Sequence, residues 1–517
     1  MKELQSLSIL SPGFYGLNTQ ESGVTLSTNY AQLTDNVVID QYGRLGARKG
    51  WVMRTTSGAI ELEGNEITSL LEHVNAGNTL TVLSSGNNKL FKNGDAADNL
   101  VDITPASYAI TTDNWKGASL LDHSLLVQPY HEPVVYTESA SPASQALSTY
   151  TGGAASFGTS YPHDVTAAFG RFWVHDGSSV YWSTDIADVT FPAFSGGTSG
   201  SLNIAAVLPN NTDTIVAVAS HNNFLIIFCE HNIVIYSGAD NPLGDFKLND
   251  VITGVGCIAR DSVAYTGNDL IFLSDTGIRS LGRVVQEKSL PMRDLTKNVR
   301  DDFLQIVTTE QRVSGGLDRV CAVYSEVNAF YLISFPASST VYVLDMRQPL
   351  EDGSARVTTW FNYQATAFLR RRNRDVLIGK TDGIGIYRDY VDNGDSYRLR
   401  YFSHYVDFTT PAVTKILKQL SATVIGGSNQ AFVIKAGFDY EDIYNTYPFV
   451  IKSGAVYEYG TAEYGLSEYA IGAALEKLKT SVGGSGNVIQ IGFEADVYGN
   501  ALSVQKLDIF LKTGRTR

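Results

Sequence analysis

The chain repeats one short pattern: an apolar run, a polar or glycine-rich turn, and a second apolar run. The copies lie at residues 80–83 with 89–91, 125–127 with 134–136, 172–174 with 180–182, and 225–227 with 233–236. Three more follow at 270–273 with 278–279, 331–333 with 341–343, and 376–378 with 384–387. Each copy predicts a β-hairpin. The mid-strand positions Val82, Val127, Val174, Ile227, Phe272, Ile333 and Ile378 recur about every 45 residues, with gaps widening to roughly 53 and 61. Short strands at such a period are what propeller blades produce.

The pattern therefore predicts an all-β chain, with an irregular β-propeller of about seven blades over residues 61–391 and a C-terminal β-sandwich over 392–517. Residues 1–60 read as an N-terminal arm with a turn-rich opening at 11–16 and a hairpin around Gly43. Two polar excursions, 139–160 and 195–201, interrupt the repeats as loops from a blade rim. Beyond Tyr390 the expected strands are longer: 397–408, 421–425, 431–438, 488–493 and 502–511. Helical spacing is clearest at 291–306, through Met292, Leu295, Val299 and Phe303, and at 470–478.

Composition agrees with many short strands and tight turns: Gly 47, Pro 14, Tyr 28 and Phe 23, with 44% apolar and 18% charged residues. Cys229, Cys257 and Cys321 have no metal-type spacing and read as buried, reduced thiols. The N-terminus lacks a signal-peptide profile and no 18-residue apolar run exists, so synthesis in a cytoplasm without a membrane span is expected. A formal charge of −14 argues against a protein that grips phosphates through basic excess. Such a surface either has nothing to do with DNA or lets DNA pass without sticking.

Each candidate site has a plain alternative. His175-Asp176-Gly177 offers a base beside a carboxylate but no nucleophile, and reads as turn chemistry. The segment 274–277, Ser-Asp-Thr-Gly, resembles the Asp-box turn of sialidase-type propellers, but its spacing is short and Arg279-Ser280 stands where an aromatic belongs. Asp389, Asp392 and Asp395 lack the alternating ligand loop of a calcium site and read as an inter-domain turn. Arg370, Arg371, Arg372 and Arg374 form the densest basic run, a solvated rim or a contact for a neighbouring subunit or nucleic-acid phosphate, and are assigned to subunit or partner contacts. Residues 440–469 carry seven tyrosines, of which Tyr457, Tyr459 and Tyr464 are assigned to an assembly interface. No catalytic, cofactor or metal residue is assigned.

The segment 11–18 (Ser-Pro-Gly-Phe-Tyr-Gly-Leu-Asn), with 36–40, Gly43-Arg44 and Arg48-Lys49-Gly50-Trp51, resembles the opening of tail proteins from short-tailed bacteriophages. Residues 415–420, 437–440, 492–496 and 507–511 fit the same likeness, to the podovirus tail nozzle (tail tubular) family. The resemblance implies a virion tail component, a hexameric ring beneath portal and adaptor. Its lumen would continue the double-stranded DNA channel and gate ejection, and its outside would carry fibres or spikes. A glycan- or receptor-binding propeller and a propeller glycosidase or lyase are the alternatives.

Overall fold

The computed structural model describes residues 5–514 except 23–25, 56–60, 95–98, 151–156, 158–160, 187–192, 209–212, 287–293, 382, 409–411, 442 and 453–474. All seven hairpins pair antiparallel at the positions the apolar runs mark. Their strands are apolar at consecutive positions because both faces are covered. Leu225 and Ile227 pack toward Trp173 and Val180 of the preceding sheet, whereas Ile226 and Phe228 pack toward Leu270 and Phe272 of the next. A strand buried on both sides cannot alternate apolar with polar. Each such side chain contributes about 1.5–3 kcal/mol.

The sheets form a β-propeller. Four of them are complete in sequence order: Ser69–Val74 through Val101–Asp102, Lys116–Leu120 through Ser144–Ala146, Asp164–Ala168 through Gly200–Asn203, and Ile215–His221 through Lys247–Thr253. A fifth has three strands, Ala264–Tyr265, Leu270–Ser274 and Gly277–Ser280. The sixth separate sheet joins Ala367–Arg370, Val376–Lys380 and Gly383–Tyr387 to Trp51–Met53 from the other end of the chain. Between the last two runs a four-stranded meander, Cys321–Ser325 to Arg356–Phe361, which is not a sheet of its own. A single bridge, Thr359 to Asp35, carries it into a ten-stranded sheet. The ring closes where Ala367–Arg370 meets Ser69–Val74, and Leu377 and Ile384 pack there on Leu62, Ile67, Val82 and Phe91.

Past the propeller, two sheets face each other across one core. Lys415–Gly426 and Leu502–Thr513 centre one sheet, while Tyr397–Ser403, Ile489–Val497 and Ala431–Phe438 carry the other. Leu417, Val424 and Ile509 meet Leu399, Tyr401 and Phe493 between them.

Residues 1–60 are not a separate arm. Gln5–Leu10 pairs with Leu502–Thr513, Tyr30–Asp35 pairs with Tyr397–Ser403, and Leu45–Ala47 reaches Val504. Trp51–Met53 then crosses into the propeller. Both expected helices need correction. The first is Arg300–Gln311: Leu295 lies in a turn with its N–H on the Ile278 carbonyl, and Asp301 and Asp302 occupy the favourable first turn of the helix. Within 470–478 the described part is strand, Leu475–Ser481, since Leu478 is buried between exposed Lys477 and Lys479 and the run pairs with 419–425.

Candidate functional site at the propeller axis and the arginine turn

The innermost strand of the fifth sheet is only Ala264–Tyr265, and the turn before it, Arg260–Ser262, fills the space left at the axis. Arg260 reaches across it. Its guanidinium donates to the His163 carbonyl at 2.8 Å, to Asn114 Oδ1 at 2.8 Å and to Asp261 at 2.7 Å. Lys116 pairs with the other oxygen of Asp261, and Asn114 bonds Asp318 at 2.9 Å. Burial alone would raise the Asp261 carboxyl, but Arg260 and Lys116 hold it down to about 2. Asp164 accepts the Val218 N–H from the neighbouring sheet at 2.9 Å, and its burial raises it against the same two cations. Two cavities beside this network have volumes of about 310 and 520 Å³.

His175 and Asp176 do not form a base and its orienter. The His175 Nδ1 accepts the Gly177 N–H at 3.1 Å, so it does not donate to a carboxylate, and Nε2 faces the Val216 carbonyl. Burial and the neighbouring His163 push this imidazole down to about 3, which keeps it neutral. Asp176 instead accepts from the backbones of Ser178 and Ser179 and from the Tyr181 hydroxyl, capping the turn. At 274–277 the same holds: Ser274 bonds Asp275, and Arg279 bonds Thr276. The three thiols are buried and unpaired; burial raises Cys229 to about 12 and Cys257 to about 11.

The arginine run is a tight turn at the point where the ring closes. Arg371 is not a surface group: its Nε lies 3.1 Å from Glu72 Oε1, with both side chains under a tenth exposed. The second oxygen of Glu72 accepts the Arg372 N–H at 2.8 Å. This strut ties the last sheet to the first. Arg370 and Arg374 converge on Glu326, at 2.7 and 3.8 Å. Arg372 is exposed. The structure thus brings the four arginines together but spends one of them internally. Tyr457, Tyr459 and Tyr464 lie outside the described residues.

A second cluster, which the sequence did not announce, joins propeller to C-terminal sheets. The Arg48 side chain is fully buried and bidentate to Asp392 at 2.8 and 2.6 Å. Its Nε donates to Asn36 Oδ1 at 2.8 Å, and it lies 4.0 Å from the Tyr397 ring and 4.7 Å from that of Tyr363. Burial opposes its charge, yet the Asp392 contact outweighs that and raises its pKa. Gly50 is required because a Cβ there would sit 1.8 Å from the Val391 carbonyl oxygen. Asp392 is therefore an ion-pair partner and not part of a calcium loop; Asp389 is exposed beside Arg388.

Lys380 sits in the same cluster, donating to the Tyr363 carbonyl and lying 4.4 Å from the rings of Trp51 and Tyr363. Burial, with Arg48 adding and Asp392 opposing, pushes its amine down to about 7. An unfolded lysine titrates at about 10.4. Between those values the unfolded chain holds more protons, so stability rises with pH across that window. Lys380→Met is expected to flatten the rise between pH 7 and 9.5 by more than about 1 kcal/mol, at about 1.4 kcal/mol per pKa unit. Melts of both proteins at the two pH values check this; parallel profiles would contradict it.

No helix among the described residues is long and apolar enough to cross a membrane. No protein-family model matches the chain, and no curated protein matches it. Among solved structures, YCF48 bound to D1 peptide aligns at 8% identity over 66% of this chain and 97% of its own, with a TM-score of 0.36. The Neurospora crassa Pan2 WD40 domain aligns at 7% identity over 70% of this chain and 98% of its own, at 0.37. PorZ, from the type-IX secretion system of Porphyromonas gingivalis, aligns at 12% identity over 68% of this chain, at 0.33; the chain spans 42% of that protein.

Proposed function

We propose that this chain is the structural subunit of a bacteriophage tail nozzle, assembling into a ring that conducts and gates DNA at ejection and anchors fibres or spikes. The reading counts the meander of residues 321–361 as a seventh blade and takes the two facing C-terminal sheets as a β-sandwich. One observation carries it. Asn36, Arg48, Gly50 and Trp51, which belong to the segments that resemble the nozzle family, are the residues that join the two modules into one piece. A ring wall that holds a channel against pressure needs such a joint. On this reading DNA passes between copies, through a lumen lined by their surfaces. With a charge of −14 that lumen is expected to repel the duplex and let it slide.

Light scattering of the purified protein with its tail adaptor tests the reading. A ring of several copies, six on the family pattern, is expected; a protein that stays monomeric beside the adaptor contradicts it. A second reading, glycan or receptor binding, is favoured by one feature, an open cleft beside Arg372.

A further inference from the structure

On the face that carries the arginine turn, the last, first and second sheets enclose a cleft of about 960 Å³. Its size lies at the upper end of ordinary ligand sites. Three kinds of group converge on it. Arg372 enters from the last sheet; its backbone is pinned by Glu72, and its guanidinium is exposed and makes no ion pair among the described residues. Its neighbours differ, since Arg371 is held by Glu72 and Arg370 by Glu326. Across the cleft, Tyr150 and His123 form an aromatic wall, ring centroids 6.3 Å apart and edge to face. Both anchor on the Thr137 hydroxyl, at 3.4 Å from the Tyr150 oxygen and 2.8 Å from His123 Nδ1.

At the rim Leu121, two-thirds exposed, lines the cleft at φ 52°, as Phe169 sits at φ 54° in the matching turn of the next sheet. Beside it Asp122 is fixed by the Ala76 N–H at 3.0 Å and the Ser139 hydroxyl at 2.9 Å, a carboxylate set to accept further donors.

We propose that this cleft binds a short acidic saccharide, with Arg372 taking the anionic substituent, Asp122 accepting ring hydroxyls, and Leu121 and Tyr150 covering the apolar faces. A fixed carboxylate selects a ligand rich in hydroxyl donors, and one free guanidinium selects a single anionic group. A polyphosphate chain meets Asp122 with like charge and finds, among the described lining residues, one arginine, Arg372, without an ion pair, since Arg370 is paired with Glu326, so nucleotides fit poorly. Sugar rings present apolar faces to aromatic and aliphatic walls, and guanidinium pairs carboxylates and phosphates bidentately.

The inference rests on the glycan-binding reading and not on ring assembly, and calorimetry on the full chain tests it. The probes are trigalacturonate, a hyaluronan tetrasaccharide and sialyllactose, with maltotriose as the neutral ligand and inorganic phosphate as the ion alone. Saturable binding of at least one acidic probe is expected, at least tenfold tighter than maltotriose or phosphate. Arg372→Gln is expected to weaken that binding about tenfold or more, while Arg312→Gln, which removes an exposed cation elsewhere, leaves it unchanged. Absence of acidic-probe binding, or phosphate binding as tight as the saccharides, overturns the proposal. Equal affinity for maltotriose also overturns it but leaves a glycan site standing, and so separates the two failures.

Discussion

Asp392→Ala is expected to destabilise the protein by about 3–5 kcal/mol, the cost of leaving a buried guanidinium without its partner. Arg48 is fully buried and has both terminal nitrogens on Asp392, so removing the carboxylate leaves its charge without an acidic partner. Three aromatic rings surround the cation, those of Tyr363, Tyr397 and Trp360, and attract it only weakly by comparison. The loss is concentrated at the joint, because Asn36 belongs with the C-terminal sheets, Trp360 with the meander, and Asp392 with the connection between the modules. Arg48→Met combined with Asp392→Leu is expected to be milder than either change alone, since no unpaired charge remains. Denaturant unfolding of Asp392→Ala, of Arg48→Met and Asp392→Leu singly, and of the double variant measures this. An Asp392→Ala protein within about 0.5 kcal/mol of the parent, the usual effect of a surface change, would remove the joint from the account.

Leu377→Ala is expected to cost about 2–5 kcal/mol, as for a fully buried leucine in a packed core. Its particular place makes the consequence larger than the number. Leu377 has no exposure and packs on Val82, Phe91 and Ile384 at the seam between the last and first sheets. That seam is also held by the Arg371–Glu72 pair, by the Thr366 hydroxyl on the Ile67 carbonyl at 2.6 Å, and by Trp51–Met53 on Gly383–Tyr387. Opening here exposes two sheet faces at once. Limited proteolysis of Leu377→Ala is therefore expected to cut first near the seam, around residues 61–66 or 370–381. Cleavage elsewhere, with the seam intact, would show that closure does not depend on this core.

The hairpins were legible in the sequence because a strand covered on both faces writes an unbroken apolar run, as in Phe224–Cys229. Outer strands were not legible. Gly200–Asn203 and Val101–Asp102 are half or fully exposed and carry no apolar signal of their own. The sharing of the first 60 residues between both modules was hidden for another reason: Trp51 pairs with Tyr387 and Gln5 with Leu511, and such separations leave no local trace. Helical spacing in 291–306 was real at Leu295, Val299 and Phe303, all buried, but the first two lie before the helix begins. At the arginine turn, four arginines within five residues read as a solvated rim. Nothing in sequence marks Glu72 as the partner that buries Arg371. The Arg48 cluster was legible only as a likeness of segments, since its ligands lie at 36, 392 and 397.

The proposed nozzle role requires copies of this chain to enclose a channel. Negative-stain imaging of the protein assembled with its adaptor tests it most directly. Averages viewed down the symmetry axis are expected to show a closed ring of subunits around a lumen wide enough for a DNA duplex. Single particles, or an assembly with no central opening, would contradict the account.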